Sequence, residues 1–167
     1  MRGFFIFFIV IFLSACTKQY APLSTVKQVD LNRYLGKWYE IARYEHFFEK
    51  GCSNVSAEYT LQEDGDIDVL NSCFKEGELT QAKGVAYATD ATNAKLKVSF
   101  FRPFYGNYQI LMLGKNYEYA VIGEPSREYF WILSRTKKLP QATLDMIVAK
   151  MPSLGYDSHK LIWILQE

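Results

Sequence analysis

The chain has 167 residues, of which 49% are hydrophobic and 16% aromatic, and its formal net charge at pH 7 is +1. This length suits one domain of ordinary size. Because basic and acidic residues nearly balance and form no basic stripe, the composition argues against nucleic acid as a partner.

The first fifteen residues predict an export signal. Arg2 supplies a positive charge, and residues 4–13 form an apolar run about half as long as the roughly 20 residues of a transmembrane helix. Residues 13–16, Leu-Ser-Ala-Cys, resemble the bacterial lipobox, whose cysteine is acylated and becomes the first residue of the mature protein. We therefore predict a lipoprotein signal peptide at residues 1–15 and lipid attachment at Cys16, with acyl chains such as palmitate. An ordinary secreted protein with a buried thiol at Cys16 is the alternative.

The segment that follows Cys16 is predicted to be a tether. Thr17 stands where an aspartate would argue against export to the outer membrane, so the sequence resembles lipoproteins that enteric-type sorting sends there. Residues 17–29 are polar, contain a proline and show no apolar periodicity. We therefore expect a lipidated N-terminus and tether at 16–29, and a single domain at 30–167 that is held in the periplasm by its lipid anchor.

From residue 36 onward, short extended runs alternate with turn residues, which is typical of an all-β sandwich or barrel. In the fifth run, Leu96, Val98 and Phe100 share one face while polar residues occupy the other. Eight antiparallel strands can close into a barrel that holds one small ligand and leaves no exposed edge. The predicted strands are residues 36–44, 55–61, 67–71, 84–88, 95–100, 108–113, 117–123 and 129–134.

The second and third of these strands form a predicted hairpin. An Asp64-Gly65 turn joins them, and the glycine stands in the wrong place for a calcium loop built on the neighbouring aspartates. Cys52 and Cys73 flank the hairpin, and in an oxidising compartment this pair predicts a disulfide. The inferred register does not place the two cysteines opposite each other, so we expect a bulge or an irregular lead-in near Cys52.

One amphipathic helix is predicted after the eighth strand, at residues 140–151. Leu144, Ile147, Val148 and Met151 recur at helical spacing and form an apolar stripe, which we expect to pack against the outside of the barrel. A final strand at residues 161–165 is predicted to pair beside the first.

Two segments resemble the conserved motifs of the lipocalin family. Residues 36–43, Gly-Lys-Trp-Tyr-Glu-Ile-Ala-Arg, resemble the opening motif, and residues 131–135, Trp-Ile-Leu-Ser-Arg, resemble the closing one. Residues 100–108, Phe-Phe-Arg-Pro-Phe-Tyr-Gly-Asn-Tyr, are similar to the bacterial, apolipoprotein-D-like branch in particular. The middle family motif, Thr-Asp-Tyr, is absent near residues 114–116. Because this loop often contacts a receptor in other lipocalins, the resemblance implies no receptor for this chain.

The resemblance implies an eight-stranded antiparallel up-and-down lipocalin barrel with the amphipathic helix packed outside. It also implies a structural motif of Gly36, Trp38 and Arg135, in which the arginine covers the tryptophan at the closed base. Together with strand alternation, it predicts that the residues facing the cavity are Val55, Ala57, Tyr59, Leu96, Val98, Phe100, Trp131 and Leu133.

The function implied by this resemblance is binding of a small apolar ligand, a fatty acid or a lysophospholipid, without a cofactor or catalysis. An anchored barrel of this kind suits envelope lipid storage, transport or repair. A fully packed structural barrel remains the main alternative, because core and pocket use the same residue types.

Two minor alternatives concern reactive side chains. Cys52 or Cys73 as the nucleophile of an isomerase requires free thiols, and a haem or metal carrier requires His46 near the mouth of the barrel.

Overall fold

The computed structural model describes residues 20–167, so the predicted signal peptide and Cys16 lie outside the described part. Nine strands form one antiparallel sheet in the order β2-β3-β4-β5-β6-β7-β8-β1-β9, and an additional β1–β2 pairing closes the first eight into a barrel. The predicted barrel fold is therefore confirmed, including the last strand beside the first. The strands are β1 (Gly36–Tyr44), β2 (Cys52–Leu61), β3 (Ile67–Lys75), β4 (Glu78–Ala88), β5 (Lys95–Phe101), β6 (Phe104–Leu113), β7 (Tyr119–Gly123), β8 (Phe130–Ser134) and β9 (Leu161–Trp163).

Among the described residues, two α-helices lie outside the run of eight strands. A single helical turn, α1 (Leu31–Tyr34), precedes β1, and α2 (Gln141–Lys150) follows β8. No helix within residues 20–167 combines the length and apolar character needed to cross a bilayer. Short 3-10 turns occupy Phe47–Glu49, Met151–Leu154 and Ser158–Lys160.

The up-and-down order gives the barrel two distinct ends. Because every strand is antiparallel to its neighbours, the β1–β2, β3–β4, β5–β6 and β7–β8 connections meet at one end, called the open end below. The other three connections and helix α1 meet at the opposite end, called the closed end.

The closed end is sealed by Trp38, which is completely buried. The guanidinium carbon of Arg135 lies 3.8 Å from the centre of the Trp38 ring, which is cation–π geometry. Arg135 also donates hydrogen bonds to the carbonyls of Arg33 at 2.7 Å and Lys37 at 2.9 Å. Gly36 lies under the same guanidinium with φ of +85°, a conformation that favours glycine. This is the arrangement implied by the sequence resemblance.

Helix α2 and the sheet form a second apolar cluster on the outside of the barrel. Ile147 and Met151 are completely buried there, against strand residues that include Phe130 and Ile132. Leu144 packs at the edge of the cluster. Three of the four residues of the predicted apolar stripe therefore face the barrel wall, whereas Val148 is only partly buried and lies outside the cluster.

The predicted disulfide is confirmed. Cys52 and Cys73 are bonded, with their Cα atoms 5.5 Å apart. Cys52 pairs with Lys75 in the strand register, and the β2–β3 register shifts between Ser53 and Ser56. This irregularity lies where the sequence predicted one, and it brings the cysteines together although they are not directly opposite.

Residues 20–29, which belong to the segment predicted as a tether, pack against the barrel. Leu23 and Val29 are buried, and Val26 packs against the interior cluster. The backbone N–H of Val26 donates to Ile110 at 3.0 Å, and that of Val29 donates to Thr92 at 2.8 Å. The apolar residues recur at every third position, a spacing that serves an extended strap but is neither helical nor alternating. Residues 23–29 are therefore packed on the barrel.

Candidate ligand-binding cavity

The barrel encloses a cavity of about 590 Å³ that reaches the open end. Its mouth is framed by Phe48 and Glu49 from the β1–β2 connection, Phe104 from β5–β6, and Glu124 and Glu128 from β7–β8. The volume falls within the range of small-molecule sites in proteins, roughly 300–1,000 Å³. A ligand therefore has space inside the barrel and a route to it from one end.

Seven of the eight predicted site residues line this cavity. They are Val55, Ala57, Tyr59, Val98, Phe100, Trp131 and Leu133. Leu96 does not: it faces inward but lies near the closed end, where it is buried in the packed interior. Because β5 runs from the closed end to the open end, strand alternation identified the correct face but not the depth along the barrel.

A hydrogen-bonded group of three tyrosines forms the floor, in which Tyr59 and Tyr108 line the cavity and Tyr34 lies behind them. The Tyr108 hydroxyl lies 2.7 Å from that of Tyr34 and 3.2 Å from that of Tyr59, so the three share hydrogen bonds. Burial raises the pKa of Tyr59 to about 12 and also raises the pKa of Tyr34 and Tyr108. The floor is therefore neutral at physiological pH, and it separates the cavity from the apolar packing around Trp38.

A buried cluster of charged residues lies in the cavity wall. The Arg43 side chain is 1% exposed, and its Nη1 atom donates to Glu40 Oε1 at 2.6 Å. The Arg43 Nε atom lies 3.7 Å from Glu49 Oε2, and the Glu49 backbone carbonyl accepts a hydrogen bond from Arg43 Nη2. The indole N–H of Trp131 donates to the same Glu49 carboxylate at 3.5 Å. The cluster thereby ties β1, the β1–β2 connection and β8 together.

Two carboxyl groups in this cluster compete for one guanidinium. Burial, together with the charge of Glu49, raises the pKa of Glu40 to about 8 despite the contact with Arg43. Burial likewise raises the pKa of Glu49. At neutral pH the Glu40 carboxyl therefore carries a proton.

His46 stacks on Phe48 beside this cluster, with ring centres 3.9 Å apart. Burial and the nearby charge of Arg43 lower the pKa of His46 to about 4, so the imidazole is neutral. Its Nε2 atom lies 3.2 Å from Glu49 Oε2. Within residues 20–167, no group of three or more potential metal ligands comes together.

The charged residues of the cavity lining are all acidic. Besides Glu40, which carries a proton, the lining contains Glu49, Glu124 and Glu128, whereas no lysine, arginine or histidine lines the cavity among the described residues. The Glu124 carboxylate is held by its own loop, because it accepts hydrogen bonds from the Ser126 hydroxyl at 2.6 Å and the Glu128 N–H at 2.8 Å. The mouth therefore disfavours an anionic group.

Sequence reasoning identified the apolar wall of the cavity but missed these polar residues. Glu40 and Arg43 stand within the opening motif, where alternation alone assigns them to opposite faces of β1. The Glu124-Pro-Ser-Arg-Glu128 connection could have been recognised from the sequence as part of the cavity mouth, because two carboxylates flank a turn that directly follows a predicted strand.

Comparisons with known proteins give a consistent result. Residues 29–166 match a family model described as a lipocalin-like domain. The chain is 42% identical over 171 residues to the outer membrane lipoprotein Blc of Vibrio cholerae, and the alignment covers 100% of both chains. Apolipoprotein D of Mus musculus is 34% identical over 142 residues, covering 79% of this chain and 74% of that protein. Insecticyanin from the tobacco hornworm, Manduca sexta, shares the fold, with a TM-score of 0.71 at 22% identity over 87% of this chain and 85% of its own.

Proposed function

The chain belongs to the lipocalin family, and on this premise we propose that it is a lipid-anchored envelope protein that binds an amphiphile with a long apolar tail. The cavity of about 590 Å³ is the observation that carries the proposal, because a fully packed barrel has no such space. Burial of an acyl chain contributes roughly 0.8 kcal/mol per methylene, so a tail of about sixteen carbons gains roughly 13 kcal/mol and, after an association cost of about 4 to 5 kcal/mol, is bound at micromolar concentration.

The anchor and the location are supported by the relatives. The Blc proteins of Vibrio cholerae and Escherichia coli, each 42% identical to this chain, are named outer membrane lipoproteins. We propose acylation at Cys16, attachment to the outer membrane and a periplasmic position of the barrel. Storage, transfer or repair of envelope lipids is the role that suits such a protein.

Between the two expected ligand classes, the lining favours lysophospholipids over free fatty acids. A fatty-acid carboxylate at the mouth meets Glu124 and Glu128 without a basic side chain to balance it. A zwitterionic head group places an ammonium near the same carboxylates, and its tail fills the apolar interior. The disulfide leaves neither Cys52 nor Cys73 as a free thiol, which argues against the isomerase alternative.

Calorimetric titration of the delipidated, anchor-free chain tests this proposal. We expect saturable binding of lysophosphatidylethanolamine at micromolar concentration, weaker binding of a fatty acid with the same tail, and none of glycerophosphoethanolamine, which lacks a tail. Trp131→Ala weakens binding by about tenfold, since removing a half-buried indole from the wall loses roughly 1.4 kcal/mol or more.

Trp163→Ala is the matched control, because Trp163 lies on β9 and is 55% exposed outside the barrel. If a correctly folded, lipid-free sample takes up neither amphiphile, the packed structural barrel becomes the better interpretation.

A further inference from the structure

The N-terminal strap, residues 20–29, runs along the barrel from the open end to the closed end. At its start, the Arg127 guanidinium of the β7–β8 connection lies 5.0 Å from the centre of the Tyr20 ring and donates to the Ala21 carbonyl at 2.6 Å. At its end, Val29 is bonded to Thr92 in the β4–β5 connection. The chain therefore enters the domain at the rim of the cavity mouth.

This entry point restricts how an anchored domain can face its membrane. Cys16 precedes Tyr20 by four residues, which span at most about 14 Å when fully extended. Strand β6 has 10 residues, and a strand of this length extends about 33 Å, or about 25 Å along the axis of a barrel with the usual strand tilt. An anchor at Cys16 therefore keeps the open end near the bilayer and prevents the closed end from facing it.

The open end also carries an unusually apolar surface, the aromatic rim. Phe47 is 86% exposed, Phe101 74% and Phe104 70%, and the rings of Phe101 and Phe104 stack at the tip of the β5–β6 hairpin. Phe48 and Phe100 lie behind them, partly exposed, and line the cavity. Exposed apolar groups clustered in this way mark sites of interaction with a membrane or another protein.

The position of the anchor selects the membrane as the partner. We propose that the aromatic rim inserts into the interfacial layer of the bilayer that holds the anchor, so that the cavity mouth opens onto the membrane surface. The inference rests on the proposed acylation of Cys16 and on the proposed lipid ligand. Such a placement lets an acyl tail pass between bilayer and barrel without crossing water.

Depth-dependent quenching tests this orientation. The mature lipoprotein is reconstituted in phosphatidylcholine vesicles with acyl chains brominated near the head group, which quench nearby indoles. The reporters are Phe104→Trp at the rim and Leu61→Trp, a matched exposed position, 40% accessible, at the closed end. With the native tryptophan signal subtracted, we expect most of the added fluorescence to be lost at residue 104 and almost none at residue 61. Phe101→Trp replaces the first reporter if that variant fails to fold.

The possible failures are distinguishable. If the wild-type protein does not float with the vesicles, the anchor proposal fails and the orientation fails with it. If it floats but the two reporters are quenched equally, or residue 61 more strongly, the anchor stands and the rim does not contact the bilayer. Loss of ligand binding is seen separately, in the titration of the anchor-free chain.

Discussion

At the scale of single residues, an irregularity in β1 brings Glu40 and Arg43 together inside the barrel. Trp38 and Glu40 face inward, and the β1–β8 register then shifts between Glu40 and Ala42. Ile41 and Ala42 both pack outward as a result, and Arg43 returns to the inside beside Glu40. A bulge of this kind re-aims side chains without interrupting the barrel.

The protonated state of Glu40 gives a testable pH dependence. Because the pKa is about 8 in the folded protein and near 4.5 in the unfolded chain, the folded state binds the extra proton between these values, and stability falls as pH rises. Glu40→Gln mimics the protonated form and does not titrate. As pH rises toward 8, the free energy of unfolding of the variant therefore increases relative to that of the wild type, by up to about 1.4 kcal/mol per pH unit.

Urea unfolding at pH 5 and pH 8 measures this difference. His46 contributes in the opposite sense, with stability rising between pH 4 and 6.5 because its pKa is lowered to about 4. This contribution cancels when the variant is compared with wild type at each pH. If the free energies of unfolding of the two proteins differ by the same amount at pH 5 and pH 8, Glu40 is ionised in the folded state and the expectation is contradicted.

At the scale of elements, the β2–β3 hairpin and the N-terminal strap show what strand patterns convey. The Asp-Gly turn and the two cysteines predicted a β2–β3 hairpin with an irregularity near Cys52. The structure contains both the hairpin and the irregularity. The packing of the strap was not predicted from the sequence. Its three apolar contacts, made by Leu23, Val26 and Val29, come from a backbone that lies along the barrel instead of joining the sheet. An extended segment of this kind has no periodicity of its own, so only its tertiary contacts identify it.

The disulfide is expected to contribute to stability through the hairpin it closes. Cys52 and Cys73 are separated by 21 residues, and a loop of this size contributes about 3 kcal/mol. We expect the double replacement Cys52→Ser and Cys73→Ser to lower the free energy of urea unfolding by this amount.

A reducing agent should lower the stability of the wild-type protein by a similar amount and leave the double variant unchanged. Equal stability of the oxidised protein and the double variant would contradict the expected contribution.

At the scale of the whole molecule, the sequence predicted the strand architecture more completely than the size and lining of the cavity inside the barrel. Alternation and the two family motifs placed the strands and the Arg135–Trp38 contact, because these depend on local pattern and on a resemblance. The cavity depends on how much volume the inward side chains leave after closure, which no single strand reveals. Leu96 illustrates this limit, since it shares a face with Val98 yet packs in the core.

The central claim is that an apolar tail occupies the barrel, and filling the barrel tests it most directly. Ala57 lines the cavity on β2, and Glu58, its exposed neighbour, points to the outside. Ala57→Trp places an indole in the space proposed for the tail, whereas Glu58→Trp adds the same side chain on the outer face. We predict that calorimetry with lysophosphatidylethanolamine shows at least about a tenfold loss of affinity, or 1.4 kcal/mol, for the first variant and no change for the second. Equal affinity of both folded variants and wild type would place the ligand outside the cavity and contradict the account.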